Sequence, residues 1–332
     1  MASAHTVGRR AFLAATAGSI VAAGCRRRAY DPAQFARPSS AAVGIFPADG
    51  YTDALADVMW RGLQTMLAPA MDVRGRTVLL KPNIVEFERD TAINTHALVV
   101  AAAADSLLRL GARQVIVGEA PGHRRDVEYL LGVTGLFEHL RDRRLTFVDL
   151  NHDDVAWTPL RSRYTGFSEV ALPATLLAAD LVVSMPKLKT HHWAVLTCGM
   201  KNLFGVVPGA VYGWPKNVLH VAGIDNSIID LTATVRPALT IVDGIVGMEG
   251  DGPIMGKPRP VGALIIGQDV VAVDATCARL MGVDPARVPY LQEAGGFLGH
   301  TQEQHIVMRG EPLARFAGRF ELPPSVAGAA IG

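Results

Sequence analysis

Short apolar runs, bounded by glycine, proline and polar clusters, alternate along most of this chain with longer segments of helical periodicity. Ala42 to Phe46 reads as a first strand, and Leu55, Val58, Met59, Leu63 and Met66 recur at helical spacing between Tyr51 and Met66. Thr77 to Leu80 is a second strand that runs into Lys81-Pro82-Asn83, where a proline without an amide ends the ladder. Thr95 is placed to cap a helix that runs to Leu110 and stops at Gly111. Gln114 to Val117 forms a strand delivering Gly118-Glu119-Ala120-Pro121-Gly122-His123, followed by a helix near Val127 to Leu140 and a strand from Leu145 to Leu150. Asn151 to Ser168 is polar and irregular, either a long surface connection or a small hairpin. Strands at Leu181 to Val183, Ala238 to Val242 and Gly262 to Ile266, with helices at Ser227 to Val235 and Asp269 to Met281, complete the pattern.

Strands alternating with helices imply an α/β fold with a mainly parallel sheet and helices on both faces. Right-handed crossovers bring the loops after successive strands to one edge, so a ligand cleft is expected at the carboxyl edge of the strands.

The candidate chemistry gathers there. Leu181-Val182-Val183 leads into Met185-Pro186-Lys187-Leu188-Lys189-Thr190-His191-His192, and Lys201-Asn202-Leu203-Phe204-Gly205 follows closely. Lys81, Lys187, Lys189 and Lys201 stand beside prolines, asparagines and glycines rather than on charge-patterned helix faces. Four ammonium groups in one cleft repel unless an anion or protein carboxylates sit among them. The reading is therefore an anion-binding cleft, against the plain alternative of four solvated lysines. Lys81, Lys187, Lys201, His191 and Asp243 should border it together. Adjacent His191 and His192 point opposite ways on extended backbone, so one of them faces the cleft. That imidazole is a proton shuttle, a metal ligand or a hydrogen-bonded structural group. Asp243, Gly244, Glu249 and Asp251 belong to a glycine-rich stretch after a strand, where carboxylates could hold a divalent metal or pair with the lysines.

Composition narrows the partners. The chain has 332 residues and a formal net charge of +1, which gives no electrostatic case for nucleic acid. Its three cysteines include no closely spaced pair, so no iron–sulfur cluster motif is encoded, and Cys198 and Cys277 are either inert buried thiols or a disulfide. No dinucleotide fingerprint, P-loop or nucleophile elbow is present.

Residues 1–25 read as an address. Arg9-Arg10-Ala11-Phe12-Leu13 and the weakly apolar stretch after it resemble a twin-arginine export signal. Val21-Ala22-Ala23-Gly24-Cys25 looks like a lipoprotein site, with lipidation at Cys25 an open question. The expectation is a periplasmic or other extracytoplasmic protein that meets the twin-arginine translocase during export and touches a membrane only through that anchor. Residues 26–41 are expected as a linker, 42–320 as one α/β domain and 321–332 as a flexible tail.

Lys81-Pro82-Asn83, Pro186 to His191, Lys201-Asn202, Asp243-Gly244 with Glu249-Gly250-Asp251-Gly252-Pro253, and Gln268 to Asp274 together resemble the domain of unknown function 362 family. The resemblance covers residues 42 to 300. It favours His191 as the histidine facing the cleft. Some relatives carry a fused ferredoxin-like module, whose clustered cysteines this chain lacks. A more distant, fold-level likeness is to the nickel-cofactor lactate racemases. The expected function is binding of an anionic small molecule or metal-containing cofactor through Lys81, Asn83, Thr190, Lys201, Asn202 and Gly244. His191, Lys187, Lys189 and Asp243 would carry catalysis of a redox or isomerase type, with His191, Asp243, Glu249 and Asp251 as metal ligands. The alternative is a non-catalytic binding or delivery protein for a metal complex or anion.

Overall fold

The computed structural model describes residues 29–67, 71–122 and 126–332. The twin-arginine pair, Cys25 and His123 lie outside the described residues. The strands are β1 (Ala41–Pro47), β2 (Thr77–Pro82), β3 (Gln114–Glu119), β4 (Thr146–Asp149), β5 (Val155–Pro159), β6 (Glu169–Pro173), β7 (Leu181–Met185), β8 (Lys187–His191), β9 (Val195–Thr197), β10 (Leu239–Glu249), β11 (Lys257–Gly267) and β12 (Ile306–Gly310). The main sheet runs β12-β1-β11-β10-β7-β2-β3-β4, with β8 joined to β10 and to β9, while β5 and β6 form a separate hairpin. The block β10-β7-β2-β3-β4 is parallel throughout. On the main path β11 alone runs against its neighbours.

Side chains alternate across each strand, so one sheet serves two cores. Val78 and Leu80 of β2, with Ile241 of β10, face helices α1 (Leu55–Leu67), α2 (Ala97–Arg109), α3 (Val127–Val133) and α4 (Leu136–Asp142). Leu79 and Val242 face the opposite way. That second core also takes residues of α6 (Gly199–Asn202), α8 (Asn217–Val221), α9 (Ile224–Val235), α10 (Val270–Leu280) and α11 (Pro289–Ala294). Short helices α5 (Ala174–Ala178) and α7 (Gly209–Tyr212) complete the set. The expected mainly parallel α/β sheet with helices on both faces is what the chain forms. Among the described residues no helix is long and apolar enough to cross a membrane.

Local departures have identifiable causes. Gly262 to Ile266 reads from sequence as one more strand of a parallel array, but β10 and β11 are successive strands of a long antiparallel hairpin. Thr95 does not cap α2; its hydroxyl accepts from the Asn83 amide and donates to the Met185 carbonyl, tying β2 to β7, and His96 Nδ1 caps instead. The helix expected over 127–140 breaks at Gly135, whose positive φ of 70° ends the first segment. Residues 151–168 include the first strand of a hairpin, with β6 as its second.

Lys187 to His191, expected as a strand-end loop, continues as strand β8 after Pro186 and pairs with β10. Asp243 and Glu249 likewise lie within β10 rather than in a loop beyond it, with an irregularity between Gly244 and Val246. The described residues of the expected linker and tail are packed. In the expected linker, Tyr30 bridges Ser162 and Phe35 is buried. In the expected tail, Ile331 donates its amide to Gly282 and Ala329 is buried.

Candidate functional site

A cavity of about 430 Å3 opens beyond the carboxyl ends of β2 and β3. Asn83 to Val85 form one wall and Glu119, Ala120 and Gly122 a second. The β8–β9 hairpin contributes Lys189, His191, His192, Trp193 and Thr197. Lys201, Asn202, Phe204 and Gly205 come from α6 and the turn after it, and Lys216 and His220 from the start of α8. Asp251, Pro253, Ile254 and Met255 close the rim from the β10–β11 turn. Trp193 and Met255 are 60% and 78% exposed, an apolar mouth over a basic interior.

Four lysines occupy this region in different states of satisfaction. An ammonium group has three donors. Lys81, at 0% exposure, uses all three: on the Pro82 carbonyl at 2.7 Å, Glu119 Oε2 at 2.7 Å and Asn202 Oδ1 at 3.0 Å. Glu119 is saturated in turn by the Ile84 and Ala120 amides, and Asn202 by donating to the Lys81 carbonyl and Ser184 Oγ. Gly205 leaves room for this pair, because a Cβ there would force the ends of Glu119 and Lys81 to shift. Lys81 is thus a buried ion pair behind the cavity wall.

The other three have donors to spare. Lys189, also fully buried, gives one hydrogen bond, to the Ile93 carbonyl at 2.8 Å. Lys216 gives two, to the Ala120 and Phe204 carbonyls at 2.8 and 2.9 Å. Lys201 makes none among the described residues; its Nζ stands 3.9 Å from the centroid of the Phe204 ring. Burial pushes each ammonium down from the ordinary lysine value. Lys189 falls well below it, with Lys201 and Lys187 adding repulsion. Lys201 falls to about 7, with Lys81 adding repulsion. Lys216 also falls to about 7, despite the attraction of Glu119. Two more atoms of the lining are buried without partners among the described residues: Asn83 Oδ1 and Thr197 Oγ1.

The histidines are set by backbone. His191 Nδ1 accepts from the Trp193 and Ala194 amides at 3.1 and 3.2 Å, which leaves the neutral ring's proton on Nε2. Burial, then Lys201 and the other histidines, hold it well below the ordinary imidazole value, so it is uncharged at neutral pH. His192 Nδ1 lies 2.8 Å from the Gly252 carbonyl, which calls for a proton on that nitrogen. Both rings border the cavity, against the expectation of one, because the chain turns at His191 instead of continuing extended.

Of the residues expected in one cleft, Asn83, Lys189, His191, Lys201, Asn202 and Asp251 line it. Lys187 and Asp243 lie apart, as directly opposed partners of β8 and β10. Their ion pair measures 2.9 Å, with Tyr51 taking 2.6 Å and 3.0 Å hydrogen bonds from Lys187 and to Asp243. Tyr51 stacks on His96 at 3.8 Å, and the His96 amide donates to Asp243. Thr190 donates to the Gly250 carbonyl, and Gly244 is packed between strands. Glu249 accepts from the Glu321 amide and faces Arg259 at 3.7 Å. Among the described residues no three His, Cys, Asp or Glu side chains gather as metal ligands would, and the four expected as a metal set are dispersed. Cys198 and Cys277 are both buried free thiols.

Sequence reasoning passed over Glu119, Lys216, His220, Thr197, Tyr51 and His96 as site residues. Glu119 had a signal, its place just after an apolar strand. Lys216 and His220 had none, since a lone lysine and a lone histidine in a loop look like solvated groups.

Among known proteins, the thylakoid-associated protein sll1697 of Synechocystis is 33% identical over 229 residues, covering 65% of this chain. The chain spans 66% of that relative's length. In structure, the lactate racemase apoprotein of Thermoanaerobacterium thermosaccharolyticum is similar with a TM-score of 0.47 and 13% identity, over 74% of this chain and 59% of that one. A Thermotoga maritima protein is similar with a TM-score of 0.36 and 15% identity, over 67% and 58%. From the end of β2 to the end of α10, the motifs that build both lysine neighbourhoods fall within residues 78–279, which match the Domain of unknown function (DUF362) family, and the chain belongs to that family.

Proposed function

We propose that the cavity binds a small anionic molecule and that the protein acts on it chemically. The observation that carries this is the charge balance. Lys189, Lys201 and Lys216 share the cavity with one buried carboxylate, Glu119, which Lys81 already neutralises. For the two that are fully buried, Lys189 and Lys216, a charge without a counter-charge costs several kcal/mol, and an anion would recover that cost. Asn83 Oδ1 and Thr197 Oγ1 would take the ligand's polar hydrogens or lone pairs, and Phe204, Trp193 and Ile254 its apolar part.

His191 supports a chemical role beyond capture. Its Nε2–H is fixed by two amide bonds to Nδ1, so it presents a neutral donor in a defined orientation at the same cavity. The dispersed carboxylates favour binding by lysines over binding through a resident metal.

Thermal melts and calorimetry with oxalate as probe anion test the reading. The parent protein should be stabilised, and Lys189→Met should lose about 1–3 kcal/mol of binding while keeping the packing of its stem. Equal oxalate affinity in parent and variant would remove the cavity as the anion site.

A further inference from the structure

Lys201, half-buried, differs from the fully buried lysines of the site in having no acceptor at all among the described residues. The backbone that carries it is pinned. Asp274 accepts from the Gly199 and Met200 amides at 2.7 and 3.0 Å, and a Cβ on Gly199 would press on Thr240, Val270 and Asp274. Two residues on, Lys201 turns its Nζ over the Phe204 ring and onto the cavity. A solvated lysine would show no such anchoring, and a structural one would have a partner.

We propose that Lys201 is a nucleophile that captures the carbonyl carbon of a small oxo acid as an imine, with the acid's carboxylate held by Lys189 and Lys216. This rests on the anion-binding reading of the cavity and names its substrate class. The lone pair of neutral Nζ attacks the carbonyl carbon, forming the C–N bond while the π pair moves to oxygen. A proton passes from nitrogen to that oxygen, giving a carbinolamine. The oxygen takes one further proton from solvent and leaves as water, and the nitrogen lone pair closes the C=N bond. One carbonyl, one amine and one proton become an iminium ion and water, with no change of oxidation state.

The surroundings suit each step. With no acid to hold its proton, and Lys81 nearby, the amine is deprotonated in good part at neutral pH. The two other lysines supply the handle that distinguishes an oxo acid from a plain aldehyde. His191, kept neutral by burial and by Lys201, offers Nε2–H to the carbinolamine oxygen. Asn83 Oδ1, orphaned in the same wall, accepts from its hydroxyl.

The full chain is incubated at neutral pH with pyruvate and sodium cyanoborohydride, then digested and mapped by mass spectrometry. A carboxyethyl group should appear on Lys201 well ahead of exposed lysines, and oxalate should suppress it. Lys201→Arg, which has no nucleophilic amine, should abolish that adduct. Labelling spread over exposed lysines with Lys201 unmodified, while oxalate still stabilises the protein, would overturn the imine and leave the anion cavity standing. Absence of both effects would overturn the two together.

Discussion

Lys81 and Lys201 belong to the same ordered set of motifs and end within one site, yet the fold treats them in opposite ways. Lys81 has all three donors engaged and a carboxylate at 2.7 Å; Lys201 has an aromatic face and open cavity. The Lys187–Asp243 pair resembles Lys81 in this respect, although it lies on the other side of β10. Ile241 and Asp243 share the strand face turned to α1 and α2, and Tyr51 and His96 reach the pair from the starts of those helices. Leu79 and Lys81 share the opposite face. Burial alone therefore does not mark a functional lysine. What marks one is the number of donors the protein leaves unspent, since a fold does not leave a buried charge unmet without something to meet it.

The largest effect should come from breaking a satisfied pair. Glu119→Gln keeps the volume and removes the charge, leaving Lys81 as an uncompensated buried cation and presenting an amide to donors that need an acceptor. Denaturant unfolding should show a loss of about 3–5 kcal/mol. Lys201→Met should leave stability unchanged or raise it, because it relieves repulsion and ends no hydrogen bond. If the two variants fall equally, the division between saturated and unspent lysines is false.

Much of this fold was legible. The alternation of apolar runs with helical periodicity gives the parallel block, and the proline after Lys81 marks the strand end correctly. What sequence could not supply was register. β8 looks like a loop because lysines and histidines are poor strand formers; it is a strand because β10 runs on past Asp243 and offers its edge. That one pairing sends Lys187 to Asp243 and Lys189 to the cavity, two residues apart in the chain and in different neighbourhoods. Lys216 shows the other limit, because only tertiary contact turns an ordinary loop lysine into a buried donor.

An intermediate effect should follow pH. Lys201 and Lys216 lie near 7 in the fold against an ordinary lysine value of 10.5, so the unfolded chain holds these protons over a range where the folded chain has released them. Stability of the ligand-free protein should then rise with pH from about 7 towards 10.5, the cost of the two charges being fully present below 7. Anion affinity should run the other way. For oxalate it should be highest below pH 7 and fall above it, by up to about tenfold per pH unit for each of the two lysines whose charge it meets. Paired stability and binding profiles, with Lys201→Met and Lys216→Met combined as the control, check both slopes. Slopes that persist in the double variant would assign the titration to other groups.

The smallest effect falls on Thr197, the direct cross-strand partner of Lys189 on β9. The two side chains share a face, and the threonine hydroxyl is buried there without a hydrogen-bond partner. Valine has nearly the same shape, so Thr197→Val removes an unmet polar atom and little packing. Stability should change by less than about 1 kcal/mol, with any shift favouring the variant. If the hydroxyl awaits the same anion as Lys189, oxalate affinity should fall by about 0.5–1.5 kcal/mol, the net worth of one hydrogen bond. A clear stability loss with unchanged affinity would place Thr197 in the packing of β9 instead, and would narrow the ligand's reach to the side of the cavity that holds Lys201, Lys216 and Asn83.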